Sequence, residues 1–279
     1  MKDKSYQYTD MAVEISGIKQ NSSENINGNI KKSVSIIRKT EEKSFGKPEG
    51  KYITLECGNF FKDEKIKKQL KTALTEALKE LLEHLKITAP NKILVVGVGN
   101  ILMTADALGP ECINKINPVI NGDLRLCTLI PGVIGMTGIE SLDLVSAAAE
   151  KIKPDLIIAV DTLAANKTER LSRSFQLSTS GLQPGGGVKN HRPPINADTL
   201  KIPVIAVGVP LVVYAVNIAK DIIEAYGNEM VVKKNFAAEK NKRFFEMFKD
   251  MIVTVKDINV AVGECSDIIA DAINSLVDP

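Results

Sequence analysis

Tryptophan is absent from this chain of 279 residues, and there are only two histidines, His84 and His191, and four cysteines, Cys57, Cys112, Cys127 and Cys265. The scarcity of histidine narrows the chemistry. A zinc site built from His and Cys is short of ligands, and a Ser-His-Asp triad would have to use one of these two residues. The cysteines are scattered without paired spacing and are expected to be reduced, mostly buried thiols. No run of roughly eighteen apolar residues occurs, and the amino terminus, MKDKSYQYTDMAVE, lacks the apolar core of a secretory signal, so a cytoplasmic protein without a membrane partner is expected. Charge of one sign is not in excess either. With 36 basic and 34 acidic residues the formal charge is +2, which makes no electrostatic case for a nucleic-acid partner.

What the sequence does contain is strands that run into aspartates. Asn91 to Pro110, NKILVVGVGNILMTADALGP, is an apolar run that passes through glycines and delivers Asp106. Lys153 to Asp161, KPDLIIAVD, repeats the idea with Asp161. Both runs are apolar on both faces, as in a central parallel strand covered by helices, and ligands in open α/β sheets collect beyond the carboxyl ends of such strands. The two carboxylates are therefore expected to meet at one sheet edge. The spacing Gly97-Val-Gly99-Asn-Ile-Leu102 fails the dinucleotide fingerprint, because Leu102 stands where the third glycine belongs, and no cofactor is expected.

Along the chain, residues 1 to 50 are polar and carry only short β-like pieces such as Val34 to Ile37, with a turn at Gly46 to Gly50. Residues 11–64 thus read as an amino-terminal arm or small appended sheet, with a strand at Tyr52 to Leu55, and residues 65–279 as the main α/β domain. Leucines at helical spacing predict a helix from Lys65 to Leu85. Further expectations are a helix from near Pro110 toward Asn117, a strand from Leu124 to Ile130, a helix from Ile139 to Ile152 and irregular or helical structure from Thr162 to Ser174. A strand at Ser174 to Ser178, another from Ile202 to Val209 ending at Pro210, a helix from Leu211 to Tyr226, an amphipathic piece from Phe244 to Met251 and a closing helix over Val255 to Val277 complete the pattern. This order predicts an α/β fold, a three-layer αβα arrangement around a mostly parallel, doubly wound sheet.

Two carboxylates held close cannot both ionise, so one keeps its proton while the other acts as a base. A water between them would be deprotonated by one partner while the other polarises a carbonyl or protonates a leaving amine, which is the chemistry of an aspartic peptidase. The same residue types would also permit a divalent metal held with His191. Glycine-rich loops flank the candidate site. Gly132, Gly135 and Gly138, with Gly185, Gly186 and Gly187, would let an extended peptide lie against a sheet edge, or would simply form tight turns. His191 and Arg192 follow the second loop and are further candidates for contact with substrate.

At these residues the chain resembles the germination protease family of spore-forming bacteria. The blocks that carry the resemblance are VVGVGNILMTADALGP (95–110), PGVIGMTGIES (131–141), KPDLIIAVDTLAANKTER (153–170), SGLQPGGGVKNHR (180–192) and IPVIAVGVPLVVYA (202–215). The resemblance implies an atypical aspartic endopeptidase with its essential aspartates at Asp106 and Asp161, no cofactor and no metal, and a core like that of the hydrogenase maturation proteases. It also implies that the enzyme initiates degradation of small acid-soluble spore proteins in the forespore and spore core. Assembly as a homo-oligomer, a tetramer in the family, and synthesis as a self-processing zymogen go with it. Asp10-Met11-Ala12-Val13-Glu14 matches the family's cleavage pattern, which makes residues 1–10 a propeptide cut between Asp10 and Met11. The region from Gly227 to Arg243 is shorter than in the family. Two rival readings are a hydrogenase maturation endopeptidase, whose opening motif is similar to Gly97 to Asp106, and a non-enzymatic α/β small-molecule-binding protein.

Overall fold

The computed structural model describes residues 9–184, 192–226, 248 and 250–277. In the amino-terminal third, β1 (Gln20–Ile26), β2 (Ile30–Ile37), the short helix α1 (Glu42–Phe45) and β3 (Gly50–Cys57) lead into α2 (Glu64–His84). The middle runs β4 (Lys92–Gly97), α3 (Leu108–Ile113), β5 (Val119–Asn121), β6 (Leu124–Leu129), α4 (Ile134–Thr137), α5 (Ser141–Ile152) and β7 (Leu156–Ala165). It closes with β8 (Ser174–Ser178), α6 (Ala197–Leu200), β9 (Val204–Tyr214), α7 (Ala215–Tyr226), β10 (Ile252–Thr254) and α8 (Ile258–Asn274).

The ten strands among the described residues belong to one sheet, ordered β1-β2-β3-β8-β9-β7-β4-β6-β5, with β10 added to β9. Only the centre is parallel, where β6, β4, β7 and β9 lie side by side. The flanks pair antiparallel, β1 to β2 to β3 to β8 to β9 on one side and β5 to β6 on the other. The sheet is thus mixed, with the expected parallel pairing holding through its four central strands, and the amino-terminal arm does not form a sheet of its own. Its strands extend the central one through the pairing of β3 with β8.

Helices cover both faces, as strands apolar on both sides require. On one face α2, α3 and α8 pack through Leu70, Leu74, Leu108, Cys112, Val262 and Ile269 onto Val95, Ile158, Phe175 and Val207. On the other, Val145 and Ala149 of α5 cover Leu94, Val96, Ile157 and Ala159. The leucine periodicity of α2 is matched by burial of Leu70, Leu74, Leu78 and Leu81, and Asp63 starts the helix by accepting the amides of Lys65 and Ile66 at 3.0 and 3.1 Å. All four cysteines are free, Cys112 and Cys265 buried and the other two partly covered.

Two strands overrun their expected ends. β7 continues through Asp161 to Ala165, and β9 continues through Pro210 to Tyr214, so Thr162 begins no irregular segment and the helix after Pro210 starts only at Ala215. Proline lacks the N–H that a central strand donates, but Pro210 sits where the register between β7 and β9 slips, at Leu163/Ala164. A bulge is the position in a sheet interior that tolerates it. Most of the piece expected from Phe244 to Met251 lies outside the described residues, as do Gly185, Gly186, Gly187 and His191.

Candidate active site

Asp161 occupies a position inside β7, not beyond its end. Its alternation with Ile157 and Ala159 puts it on the face that carries α5, and its register partner on β9 is Gly208, which in turn pairs with Gln176 of β8. A row of three residues, Asp161, Gly208 and Gln176, thus crosses three adjacent strands. Asp161 is only 6 % exposed, and its carboxylate accepts the amide of Thr162 at 2.8 Å. Burial raises its pKa well above the usual aspartate range, and the neighbouring charge of Asp106, then that of Asp10, push the same way.

Asp106 reaches this place by a loop that doubles back after β4. Gly99 takes φ +127°, which an L side chain rarely adopts, and a methyl group there would lie 2.0 Å from the Asp106 carbonyl oxygen. The Asn100 amide donates both to that carbonyl at 3.1 Å and to Oδ2 of Asp106 at 2.8 Å, which fixes the carboxylate. Gly109, at the start of α3, comes so near the sheet that a Cβ would lie 2.2 Å from the Val98 carbonyl oxygen and 2.5 Å from that of Val160. The glycines of this stretch serve close packing of backbone on backbone. Burial raises the Asp106 pKa, opposed by the Asn100 amide.

Both carboxylates line one cavity of about 580 Å³, together with Asp10, Lys47, Gln176 and Ser180. Thr9 and Asp10 line this cavity as well, and Ala12–Glu14 follow them as a turn of 3-10 helix. Asp10 and Ala164 are joined twice, Asp10 N–H to the Ala164 carbonyl at 2.8 Å and Ala164 N–H to Asp10 Oδ2 at 2.9 Å. The Asp10 carbonyl oxygen accepts from Lys47 Nζ at 2.9 Å and from Gln176 Nε2 at 3.0 Å, while Gln176 Oε1 accepts the Ala12 amide at 2.7 Å. Met11 and Ala12 are buried. The Glu14 carboxylate accepts from the amides of Asn166 at 2.6 Å and Lys167 at 2.9 Å, from Arg170 at 3.3 Å and from the Thr9 hydroxyl.

The structure therefore brings together Asp106, Asp161 and Asp10 among the residues singled out from sequence, while Met11 is buried next to Asp10 and is not among the lining residues. Gly132, Gly135 and Gly138 form the turn around α4 and are not among the residues lining the cavity; Gly132 accepts the Ser141 hydroxyl at 2.8 Å, and Gly138 closes α4 in the left-handed conformation. Arg192 also lies off the lining and pairs with Glu140 at 2.9 Å. Sequence reasoning missed Lys47 and Gln176. Lys47 carried no signal, but the alternation Ser174-Phe175-Gln176-Leu177-Ser178 puts polar side chains on one face of a buried strand and marks Gln176 as a residue in need of partners.

A family model described as germination protease matches residues 1–246. The germination protease of Clostridium tetani is 36 % identical over 278 residues, covering 88 % of this chain and 84 % of that protein. That of Bacillus subtilis is 40 % identical over 220 residues, covering 73 % of this chain and 60 % of that protein. The chain belongs to the germination protease family. Membership of that family makes it a peptidase, and the cavity with its two carboxylates is the candidate seat of hydrolysis. Among solved structures, the NiFe hydrogenase maturation protease HycI of Thermococcus kodakarensis aligns with a TM-score of 0.34 and 19 % identity, over 48 % of this chain and 80 % of that one. The sequence relatives of this chain favour neither the maturation endopeptidase nor the binding-protein reading.

Proposed function

We propose that this protein is an aspartic-type endopeptidase with Asp106 and Asp161 as its dyad. In this reading it is a zymogen that cuts itself between Asp10 and Met11 and then degrades small acid-soluble spore proteins. The observation that supports the proposal is the position of Asp10, the residue on the amino side of the cut named by the family's cleavage pattern, which lines the cavity that the two carboxylates share and is hydrogen-bonded to Ala164 of β7. Burial and the Asp106 charge favour the protonated form of Asp161, which makes it the acid of the pair. Asp106, held by the Asn100 amide, is the base that takes a proton from the attacking water.

Substrate proteins would enter as residues 9–14 do, beside β7, extended up to Met11 and then in a single helical turn over Ala12–Glu14, with a glutamate four residues beyond the cut in the place of Glu14. The glycine loop at Gly132, Gly135 and Gly138, and the residues Gly185, Gly186, Gly187, His191 and Arg192, are assigned to further contacts with substrate. Neither a metal nor a cofactor has a part in this chemistry, nor does nucleic acid or a membrane. Among the described residues no helix is long and apolar enough to cross a bilayer. Action in the forespore and spore core and assembly as a homo-oligomer, a tetramer by family resemblance, complete the proposal.

The test is incubation of the purified chain followed by sequencing of any new amino terminus. A new terminus at Met11, lost in Asp106→Asn and in Asp161→Asn, is expected. Processing of both variants at the wild-type rate would remove the dyad assignment.

A further inference from the structure

A peptidase that relies on two carboxylates still has to stabilise the negative charge that forms on the carbonyl oxygen under attack. Preorganised donors aimed at that oxygen are often the largest single contribution to such a reaction. The bond between Asp10 and Met11 has its carbonyl on Asp10. That oxygen accepts from two side chains drawn from distant parts of the chain, Lys47 Nζ at 2.9 Å and Gln176 Nε2 at 3.0 Å.

We infer that Lys47 and Gln176 form the oxyanion site of this peptidase, a pair of catalytic donors on the scissile carbonyl oxygen. The inference rests on the cut proposed above. Three features support it. First, both donors line the same cavity as Asp106 and Asp161. Second, each donor is held. Gln176 is 8 % exposed in the middle of β8, and its own oxygen is engaged by the Ala12 amide at 2.7 Å, so its amide group is oriented with the N–H side toward Asp10. Lys47 follows the turn at Gly46, which ends α1 in the left-handed conformation. Third, burial lowers the Lys47 pKa, with the charges of Asp10 and Glu14 working against that shift. A poorly solvated ammonium gains more from a developing oxyanion than one in water.

Atoms and protons balance in this step. Asp106 takes a proton from water as the water oxygen bonds to the Asp10 carbonyl carbon, and the π pair moves onto the carbonyl oxygen between Lys47 and Gln176. When that pair returns, the bond to the Met11 nitrogen breaks and the nitrogen takes the proton of Asp161. The products are a carboxyl group on Asp10 and a free amine on Met11, with the dyad's proton transferred from Asp161 to Asp106. Gln176 has a second duty in the same geometry. By gripping the amide two residues beyond the cut with Oε1, it sets the register of the peptide while Nε2 meets the carbonyl.

The alternative is that the two side chains merely hold the segment in place. Two substitutions and two readouts separate these roles. Gln176→Glu keeps the acceptor for Ala12 and removes the donor; Lys47→Met keeps the apolar stem and removes the charge. The rate of appearance of the Met11 terminus is measured in the full chain. In parallel, hydrogen exchange at Ala12 and Glu14 is measured for each substitution combined with Asp106→Asn, which keeps the segment attached. The expected result is a fall in rate of about 100-fold or more for each variant, the size seen when one oxyanion donor is removed, with exchange protection unchanged. Rates within about threefold of wild type for both variants, while Asp106→Asn is inactive, would overturn the oxyanion site and leave the dyad standing. Loss of protection in step with loss of cleavage would assign both residues to holding the segment. A wild-type chain that never exposes Met11 would remove the cut and this inference with it.

Discussion

Gly99 and the Asp106 carbonyl oxygen are in a contact that leaves no room for a side chain: a Cβ on Gly99 would lie 2.0 Å from that oxygen. Since Gly99 also has φ +127°, alanine at this position meets both a strained backbone and a clash with backbone atoms, neither of which a rotamer change relieves. The loop has to open, and Asp106 moves with it. Gly99→Ala is expected to lower the rate of self-processing by about 100-fold, the order that a displacement of roughly 1 Å costs a catalytic group. A rate assay on Gly99→Ala, with circular dichroism to confirm the fold, checks it.

Asp161→Asn is expected to stabilise the protein while abolishing its chemistry. The sign follows from the direction of the shift. Because burial and the Asp106 charge raise the folded-state pKa, the folded chain holds this proton more tightly than the unfolded chain does. Stability associated with the group is then fully present below the ordinary aspartate pKa and is lost as pH rises through the elevated one. Asparagine has no proton to lose, and its oxygen can keep the Thr162 amide that Asp161 accepts at 2.8 Å. The melting temperature of Asp161→Asn should exceed that of wild type near neutral pH by a few degrees, given ~2–4 °C per kcal/mol for a chain of this size. The difference should vanish in acid, below about pH 3.9, where the unshifted carboxyl is also protonated. Equal melting temperatures at both pH values would mean that Asp161 is not penalised by its surroundings.

The sheet's centre and its two carboxylates were legible because a short run that is apolar on both faces is stable only where helices cover it from both sides. Elsewhere, local signals were overruled by partners remote in sequence. Asp161 looks like a strand end, as does Pro210, yet pairing between β7 and β9 carries both strands onward, with the register slip at Leu163/Ala164 accommodating the proline. The amino-terminal arm read as an appendage because Gln20 to Asn25 is polar, and the strand Gln20–Ile26 is exposed along most of its length. Its neighbours β2 and β3 nevertheless pair into the central sheet, a register no local pattern specifies. Lys47 falls in a polar turn with no periodicity, and only the folded chain puts its ammonium on the Asp10 carbonyl.

Glu14 anchors the far end of the docked segment. Its carboxylate, 1 % exposed, satisfies two backbone amides of the turn after β7 and pairs with Arg170, which also reaches Glu56 at 2.9 Å. Glu14→Ala leaves those amides unpartnered in a closed site, a loss of about 1–3 kcal/mol for a buried unsatisfied group. In the Asp106→Asn background, where the segment stays attached, Glu14→Ala should lower the melting temperature by several degrees and release the exchange protection of residues 11–14. Self-processing in the otherwise wild-type chain should slow as well. An unchanged melting temperature would show that the carboxylate is not a fixed anchor.

The charge of Asp10 gives a final handle on the dyad. It is one of the influences that raise the Asp161 pKa, after burial and Asp106. If Asp161 must be protonated to hand its proton to the leaving amine, activity falls on the alkaline side as this group ionises, although the observed pKa values belong to the coupled pair. Asp10→Asn removes the charge and keeps an oxygen for the Ala164 amide, which Asp10 accepts at 2.9 Å. The alkaline limb of the processing rate against pH should therefore move to lower pH, whatever the change in the maximal rate. The measurement is a set of single-turnover processing rates across pH for both chains, normalised to their maxima. A limb that stays in place, or moves upward, would separate Asp161 from the proton that the leaving amine requires, because removal of a nearby negative charge can only ease ionisation of a carboxyl group.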